Sequence, residues 1–237
     1  MADDDNDRAQ VNRLAAMGEL AAGIVHEVRN LLTSVRGFAQ VGRREADIDR
    51  AHELFAAIDR ESARCVDTLQ SFLRFARKRA VARSRVDLND LVDAAAGLVR
   101  HQLSAHDVRL TIERADRPLF VCASADAIVE VIVNLALNAQ QAMPHGGEVS
   151  VRTCARGGGR VAAIVEDDGP GVPPELADRV FEPFFTTKPE GQGTGLGLAI
   201  GAAVAADHGG SLRLESTARG ARFVLELPAA PEEAGVA

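Results

Sequence analysis

The chain has 237 residues, 46% of them hydrophobic and 26% charged, with a formal net charge of -7. That length holds one large domain or two small ones, and the balance is that of an ordinary globular protein. Net acidity argues against general nucleic-acid binding, and the absence of Trp and Tyr removes base-stacking platforms.

The acidic start, Ala2 to Asp7, is wrong for a secretion signal, and residues 1–10 are expected to be disordered. No apolar run approaches the ~20 residues a membrane helix needs. Cys65, Cys122 and Cys154 form an odd, scattered set without a CxxC pair, which suits reduced thiols. Together these features predict a cytoplasmic protein with no membrane segment.

From Leu14 the apolar residues Leu14, Met17, Ala21, Ile24, Val28, Leu31, Val35 and Phe38 recur in alternating steps of three and four. A second stretch, Phe55, Ile58, Ser62, Cys65, Leu69, Phe72 and Ala76, repeats the pattern. The spacing predicts two long helices packed as an antiparallel hairpin, with the charged segment Arg43 to Arg50 between them. One hairpin covers its own seam poorly, so a homodimeric four-helix bundle is expected. His26 lies between seam positions and points to solvent, with Glu27 beside it and Asn30 one turn on. Such a histidine is either an ordinary surface residue or an open nucleophile, one ring nitrogen attacking while a carboxylate such as Glu27 holds the other's proton. Five Arg or Lys in nine positions, Arg77 to Arg85, interrupt the pattern and place a boundary near Ala82.

Beyond it, Leu88–Leu103 reads as a helix, Val108–Glu113 and Phe120–Cys122 as strands, and Ser124 or Asp126 as the cap of a helix over Ala127–Met143. Two strands, Val149–Cys154 and Val161–Glu166, turn at Gly157–Gly159. A long loop, Asp167 to Gly195, leads into a helix stopped by His208-Gly209-Gly210. Strands at Ser211–Glu215 and Ala221–Leu227 close the domain, and the tail from 229 to 237 is expected to be disordered. Helices and strands segregate, which predicts a two-layer α/β sandwich with helices on one face of a mixed sheet.

Four features here carry chemistry. Glu130, Asn134 and Asn138 form one stripe on an apolar helix, and their oxygens are hard donors suited to Mg²⁺ shared with phosphates. Asp167, heading Asp167-Asp168-Gly169-Pro170-Gly171, can accept a hydrogen bond from an exocyclic amine such as adenine's, though alone the stretch is also a plain turn. Phe181-Glu182-Pro183-Phe184-Phe185-Thr186-Thr187-Lys188 places three Phe in a loop, as hooks for a closing lid, with Thr187 and Lys188 able to reach phosphates. In Gly191-Gln192-Gly193-Thr194-Gly195-Leu196-Gly197, glycine falls at every second position ahead of an apolar helix, an arrangement suited to anion binding.

Taken together the stretches resemble the bacterial sensor histidine kinases of two-component systems, over about Leu14 to Leu227. Met17 to Asn30 looks like the H box with His26 at the phospho-acceptor position, and Asn134 to Ala139 like the N box. Asp167-x-Gly169-x-Gly171 resembles the first glycine box, Phe181 to Lys188 the F box, and Gly193-x-Gly195-x-Gly197 the second glycine box. His-Glu-x-x-Asn and Phe-Phe-Thr-Thr-Lys are closest to the nitrogen-regulation and sporulation-type kinases. The resemblance implies a dimerisation and phosphotransfer hairpin over 11–81. It implies an ATP-binding domain of the GHKL (Bergerat) type, shared with gyrase and Hsp90, over 82–228. It implies catalysis by His26, Glu27 and Asn30. ATP is then bound by Glu130, Asn134, Asn138, Asp167, Gly169, Gly171, Phe184, Thr187, Lys188, Gly193, Thr194, Gly195, Leu196 and Gly197, with Mg²⁺ on Asn138, Asn134 and Glu130. The partners it implies are a response-regulator receiver domain and a second copy of the chain, and two alternatives stay open for the input, a separate sensor protein or a longer chain of which this is the catalytic core. Leu31 stands where the family often has Pro, which keeps the helix beyond His26 straighter.

Overall fold

The computed structural model describes residues 23–26, 28–76, 83–188 and 193–231. The chain divides into two compact units. One is the helical hairpin together with Glu182–Leu196; the other is the sheet-containing remainder. The expected helix start at Leu14, residue Glu27, the basic junction at 77–82 and residues 232–237 lie outside the described residues.

In the helical unit, α1 covers 23–26 and 28–42, and α2 spans Ile48–Ala76. The connection is shorter than the expected 43–50, because Asp47 caps α2. Its Oδ1 accepts from the backbone N–H groups of Asp49 (2.9 Å) and Arg50 (3.2 Å). Among the described residues the predicted seam of α1 holds from Ile24 on, Leu14, Met17 and Ala21 lying outside them: Ile24 and Leu31, seven residues apart, are each 4% exposed. The seam of α2 divides. Cys65 is buried and Ile58, one heptad earlier, is half-buried. Phe55, 64% exposed, and Leu69 lie on an outward line with Ser62 and with Ile48, 71% exposed. On α1, Val25 and Leu32 are likewise seven apart and exposed.

The second unit begins with β1 (Ser84–Asp87), a strand absent from the sequence expectation. Four largely polar residues after a basic run carry no strand pattern. Tertiary pairing with β3 (Phe120–Ala123) makes the strand, Arg85 stacking over the Phe120 ring. Between them lie α3 (Leu88–Ser104), N-capped by Asp87, and β2 (Val108–Glu113). Next come α4 (Ala125–Ala142), β4 (Gly147–Arg156), β5 (Arg160–Asp167), α5 (Gly197–Asp207), β6 (Ser211–Glu215) and β7 (Arg222–Pro228). Ser124 is the cap of α4. Its own N–H donates to Nε2 of His208, whose Nδ1 lies 2.8 Å from the Val204 carbonyl and donates to it.

The five-stranded sheet runs β2-β4-β5-β7-β6, with β2 parallel to β4 and the other neighbours antiparallel. Alternation along β5 and β7 sets the two faces. Val161, Ala163 and Val165, with Phe223, Leu225 and Leu227, join α3, α4 and α5 in one core. Fully burying a Leu such as Leu135 or Leu225 stabilises by roughly 1.5–3 kcal/mol. Ala162, Ile164 and Val224 face the other way. Ion pairs border that strip: Arg222 with Glu166, Arg213 with Glu226, and Arg156 with Glu215. The Arg222 guanidinium, through its hydrogen bonds, pulls the Glu166 carboxyl below its ordinary range. The chain stays attached beyond Pro228. The Ala229 N–H donates to the Gly159 carbonyl and the Ala230 N–H to that of Phe120, so the expected disorder does not begin at 229.

Candidate active site

His26 is exposed on α1, as its place off the seam predicts. The group beside its ring is Asn30, whose amide nitrogen lies 3.3 Å from Nδ1. With the amide nitrogen as donor, Nδ1 would accept and the ring proton would sit on Nε2. Turning the amide over presents Oδ1 to an Nδ1–H and leaves the Nε2 lone pair open to attack. Glu27, expected in that role from the sequence, lies outside the described residues.

On α4, Glu130 is exposed while Asn134 and Asn138 are half-buried, at successive turns of one stripe. The start of α5 lies against it. A Cβ on Gly197 would come within 2.5 Å of Asn134 Nδ2 and 2.7 Å of its Oδ1, so only glycine leaves the amide its place. The C-terminal end of α4 meets the Asp167 turn, since a Cβ on Gly169 would lie 3.0 Å from Met143 Cγ. Nine residues, about 13 Å of helix, separate Asn134 from Met143.

Asp167 is 7% exposed. Its Oδ1 accepts from the Gly169 N–H at 2.9 Å and the Ala221 N–H at 3.3 Å. Among the described residues no donor reaches Oδ2, which leaves that oxygen for a ligand. Burial raises the carboxyl pKa above its ordinary value, and the two backbone hydrogen bonds only partly offset it. Gly220, at φ 71°, lets its turn close onto the Asp167 carbonyl. Gly171 in turn packs on Gly220, where a Cβ would lie 2.5 Å from the carbonyl oxygen. The Gly220–Ala221 turn was invisible to sequence reasoning; an isolated Arg-Gly-Ala between two strands is its sole signal. Arg219, beside it, pairs with Asp168 at 3.4 Å.

The remaining candidates lie in the helical unit. Phe184, Lys188, Gly193, Thr194 and Gly195 are half-buried, Leu196 is buried, and Thr187 is exposed. Burial lowers the Lys188 pKa, so its ammonium gains from an anionic neighbour. The three Phe do not act as one set of hooks. Phe181 packs edge-on against Phe223 in the sheet unit, 6.3 Å between ring centroids, while Phe184 belongs with the hairpin. Gly191 and Gln192 lie outside the described residues.

The Asp167 turn at one end of α4 and the Asn134–Gly197 contact nearer the other thus set a carboxylate and an amide about 13 Å apart along one helix. No three His, Cys, Asp or Glu side chains gather around a metal position among the described residues. Nor is any helix among them long and apolar enough to cross a membrane.

Residues 16–81 match the family model of the His Kinase A (phospho-acceptor) domain. Residues 123–231 match that of the histidine kinase-, DNA gyrase B-, and HSP90-like ATPase. Sensor histidine kinase ZraS of Escherichia coli is 35% identical over 218 residues, which cover 91% of this chain and 46% of ZraS. The chain thus spans about half the length of the curated relatives it matches. Among solved structures, the mycobacterial sensor histidine kinase MprB is 31% identical with a TM-score of 0.55, over 63% of this chain and 99% of that one. Histidine kinase ThkA, solved in complex with response regulator protein TrrA, is 26% identical with a TM-score of 0.77, over 98% of this chain and 68% of that one. A phospho-acceptor match over 16–81 and a gyrase-like ATPase match over 123–231 in one chain, beside a solved sensor histidine kinase 31% identical and covered over 99% of its length, make it a member of the sensor histidine kinase family of two-component systems.

Proposed function

We propose that the chain is an ATP-dependent protein histidine kinase core that phosphorylates its own His26 and passes the phosphoryl group to an Asp of a response regulator. Residues 11–81 serve as the dimerisation and phosphotransfer part and 82–228 as the ATP-binding part. The observation that carries the reading is α4: an acidic turn with a free carboxylate oxygen at one end, and an amide stripe against a glycine-led helix about 13 Å away. Adenine's exocyclic amine donates to Asp167, and the triphosphate runs toward Asn138 and Asn134. Gly193, Thr194, Gly195, Leu196 and Gly197 offer backbone N–H groups to it, with Thr187 and Lys188 beside them.

Asn134, Asn138 and Glu130 fit Mg²⁺, their hard oxygens lying on one partly exposed stripe that phosphate oxygens complete. The ion would neutralise charge on the phosphates. The chain's own residues do the rest. Asn30, or Glu27, holds the proton on Nδ1. The Nε2 lone pair of His26 forms the bond to the γ-phosphorus, the bond to the bridging oxygen breaks, and ADP leaves. Catalysis is then mostly positioning and charge neutralisation. Asn30, exposed one turn from His26, is also placed to orient a water for hydrolysis of the regulator's phosphate. The ThkA–TrrA complex supports a receiver-domain partner. The test is incubation with γ-labelled ATP and Mg²⁺. Acid-labile, base-stable label on the protein is expected, and acid-stable label would instead mean a serine kinase.

Gly197→Ala is expected to displace the Asn134 amide and weaken ATP binding about tenfold, ~1.4 kcal/mol. Calorimetric titration checks this, and an unchanged affinity would remove Asn134 from the site. A homodimer is supported by the two outward heptad lines, Val25–Leu32 and Ile48–Phe55–Leu69, which a second hairpin would cover. Phe55→Asp is expected to convert a dimer to monomers in sedimentation equilibrium, with helix content retained.

A further inference from the structure

Gly23, one turn before His26, lies under the ring of Phe184. A Cβ at position 23 would overlap Phe184 Cε2, and would lie 2.9 Å from Cζ and 3.0 Å from Cδ2. The ring therefore rests in a notch that only glycine leaves in the helix. Phe184 itself is held in place. Its backbone is left-handed, φ 66°, a conformation rare for a bulky residue. Its N–H donates to the Gly195 carbonyl at 3.0 Å. Gly195, at φ 63°, presses so closely that a Cβ there would lie 2.6 Å from the Phe184 carbonyl oxygen. One residue is thus clamped by the glycine loop through its backbone and seated on the His26 helix through its ring.

We propose that Gly23 and Phe184 form a socket and plug that align the glycine loop with His26 for phosphoryl transfer, with Gly23 a positioning residue. The inference rests on the kinase reading above. A nucleotide-bound loop sets the Phe184 backbone, and the ring fits the helix only while position 23 has no side chain. The step served is transfer rather than nucleotide binding, so kcat and KM should separate.

The experiment uses the whole chain. Gly23→Ala is expected to lower the autophosphorylation rate at saturating ATP at least about tenfold, with KM for ATP within about twofold. Ala favours a helix over Gly, so loss of fold does not account for that result. Phe184→Leu in the Gly23→Ala background shortens the plug and is expected to recover several-fold of the loss. A Gly23→Ala rate equal to or above wild type, or losses that simply multiply in the double variant, would overturn the proposal. A second readout needs no catalysis: hydrogen exchange at the Phe184 amide should quicken in Gly23→Ala. Unchanged exchange would overturn the socket even if His26 takes no label. No label on wild type, with exchange quickened in Gly23→Ala, would leave the socket standing and sink the kinase reading instead.

Discussion

His26→Gln is expected to reduce phosphoryl label on the protein to background while leaving ATP affinity within about twofold, under roughly 0.4 kcal/mol. Glutamine has no nitrogen lone pair that can take up phosphorus under these conditions, so the nucleophile is lost outright. The side chain is exposed on α1 and its one described hydrogen bond is to Asn30. Glutamine is also a better helix former than histidine, so the hairpin keeps its stability. Filter binding or gel autoradiography measures the label, and calorimetry the affinity. Label persisting in the variant would place the acceptor elsewhere.

Asp167→Asn separates binding from stability. The lost charge-assisted hydrogen bond to the base is expected to weaken ATP binding by ~1.5–3 kcal/mol, about 10- to 150-fold. Stability should move the other way. Burial raises the folded pKa of Asp167 above the ordinary 3.8. As pH rises from 3.8 to that raised value, the unfolded chain gives up its proton first, so folding stability falls through this window. Above it the folded protein carries the whole cost of the buried charge. Asn does not titrate, and its Oδ1 still accepts from Gly169 and Ala221. The melting temperature of the variant relative to wild type should therefore rise between pH 4 and pH 7. A variant less stable than wild type at pH 7 would mean that the ionised carboxylate is net favourable to the fold, contrary to the direction burial sets.

Much of the site was legible because its signals are local. His26, Glu27 and Asn30 lie within one turn and a half of a helix whose apolar period is unmistakable, and Glu130, Asn134 and Asn138 repeat at four. Both are properties of helical geometry, which depends on near neighbours alone. The sequence also showed that the long loop carries three Phe, but not that Phe181 would join Phe223 and Phe184 would join the hairpin. That division depends on which apolar surface each ring meets, and the surfaces come from residues far along the chain. β1 was missed for the same reason, since its strand exists through pairing with β3. The α2 period showed apolar positions three and four apart, yet a period does not tell which heptad line a single hairpin covers; packing left Phe55 outside and Cys65 within.

Sequence by itself therefore determined the two-part architecture, the place of the proposed acceptor histidine off the seam, the amide stripe and the acidic turn, because periodicity and short motifs record contacts within a few residues. Only the tertiary structure decided that Gly220–Ala221 clamps Asp167 from over fifty residues away, that Gly197 makes room for Asn134, and that Gly23 receives Phe184. In each case a glycine answers to a side chain or carbonyl distant in sequence, and an absent Cβ carries no mark of what fills its place.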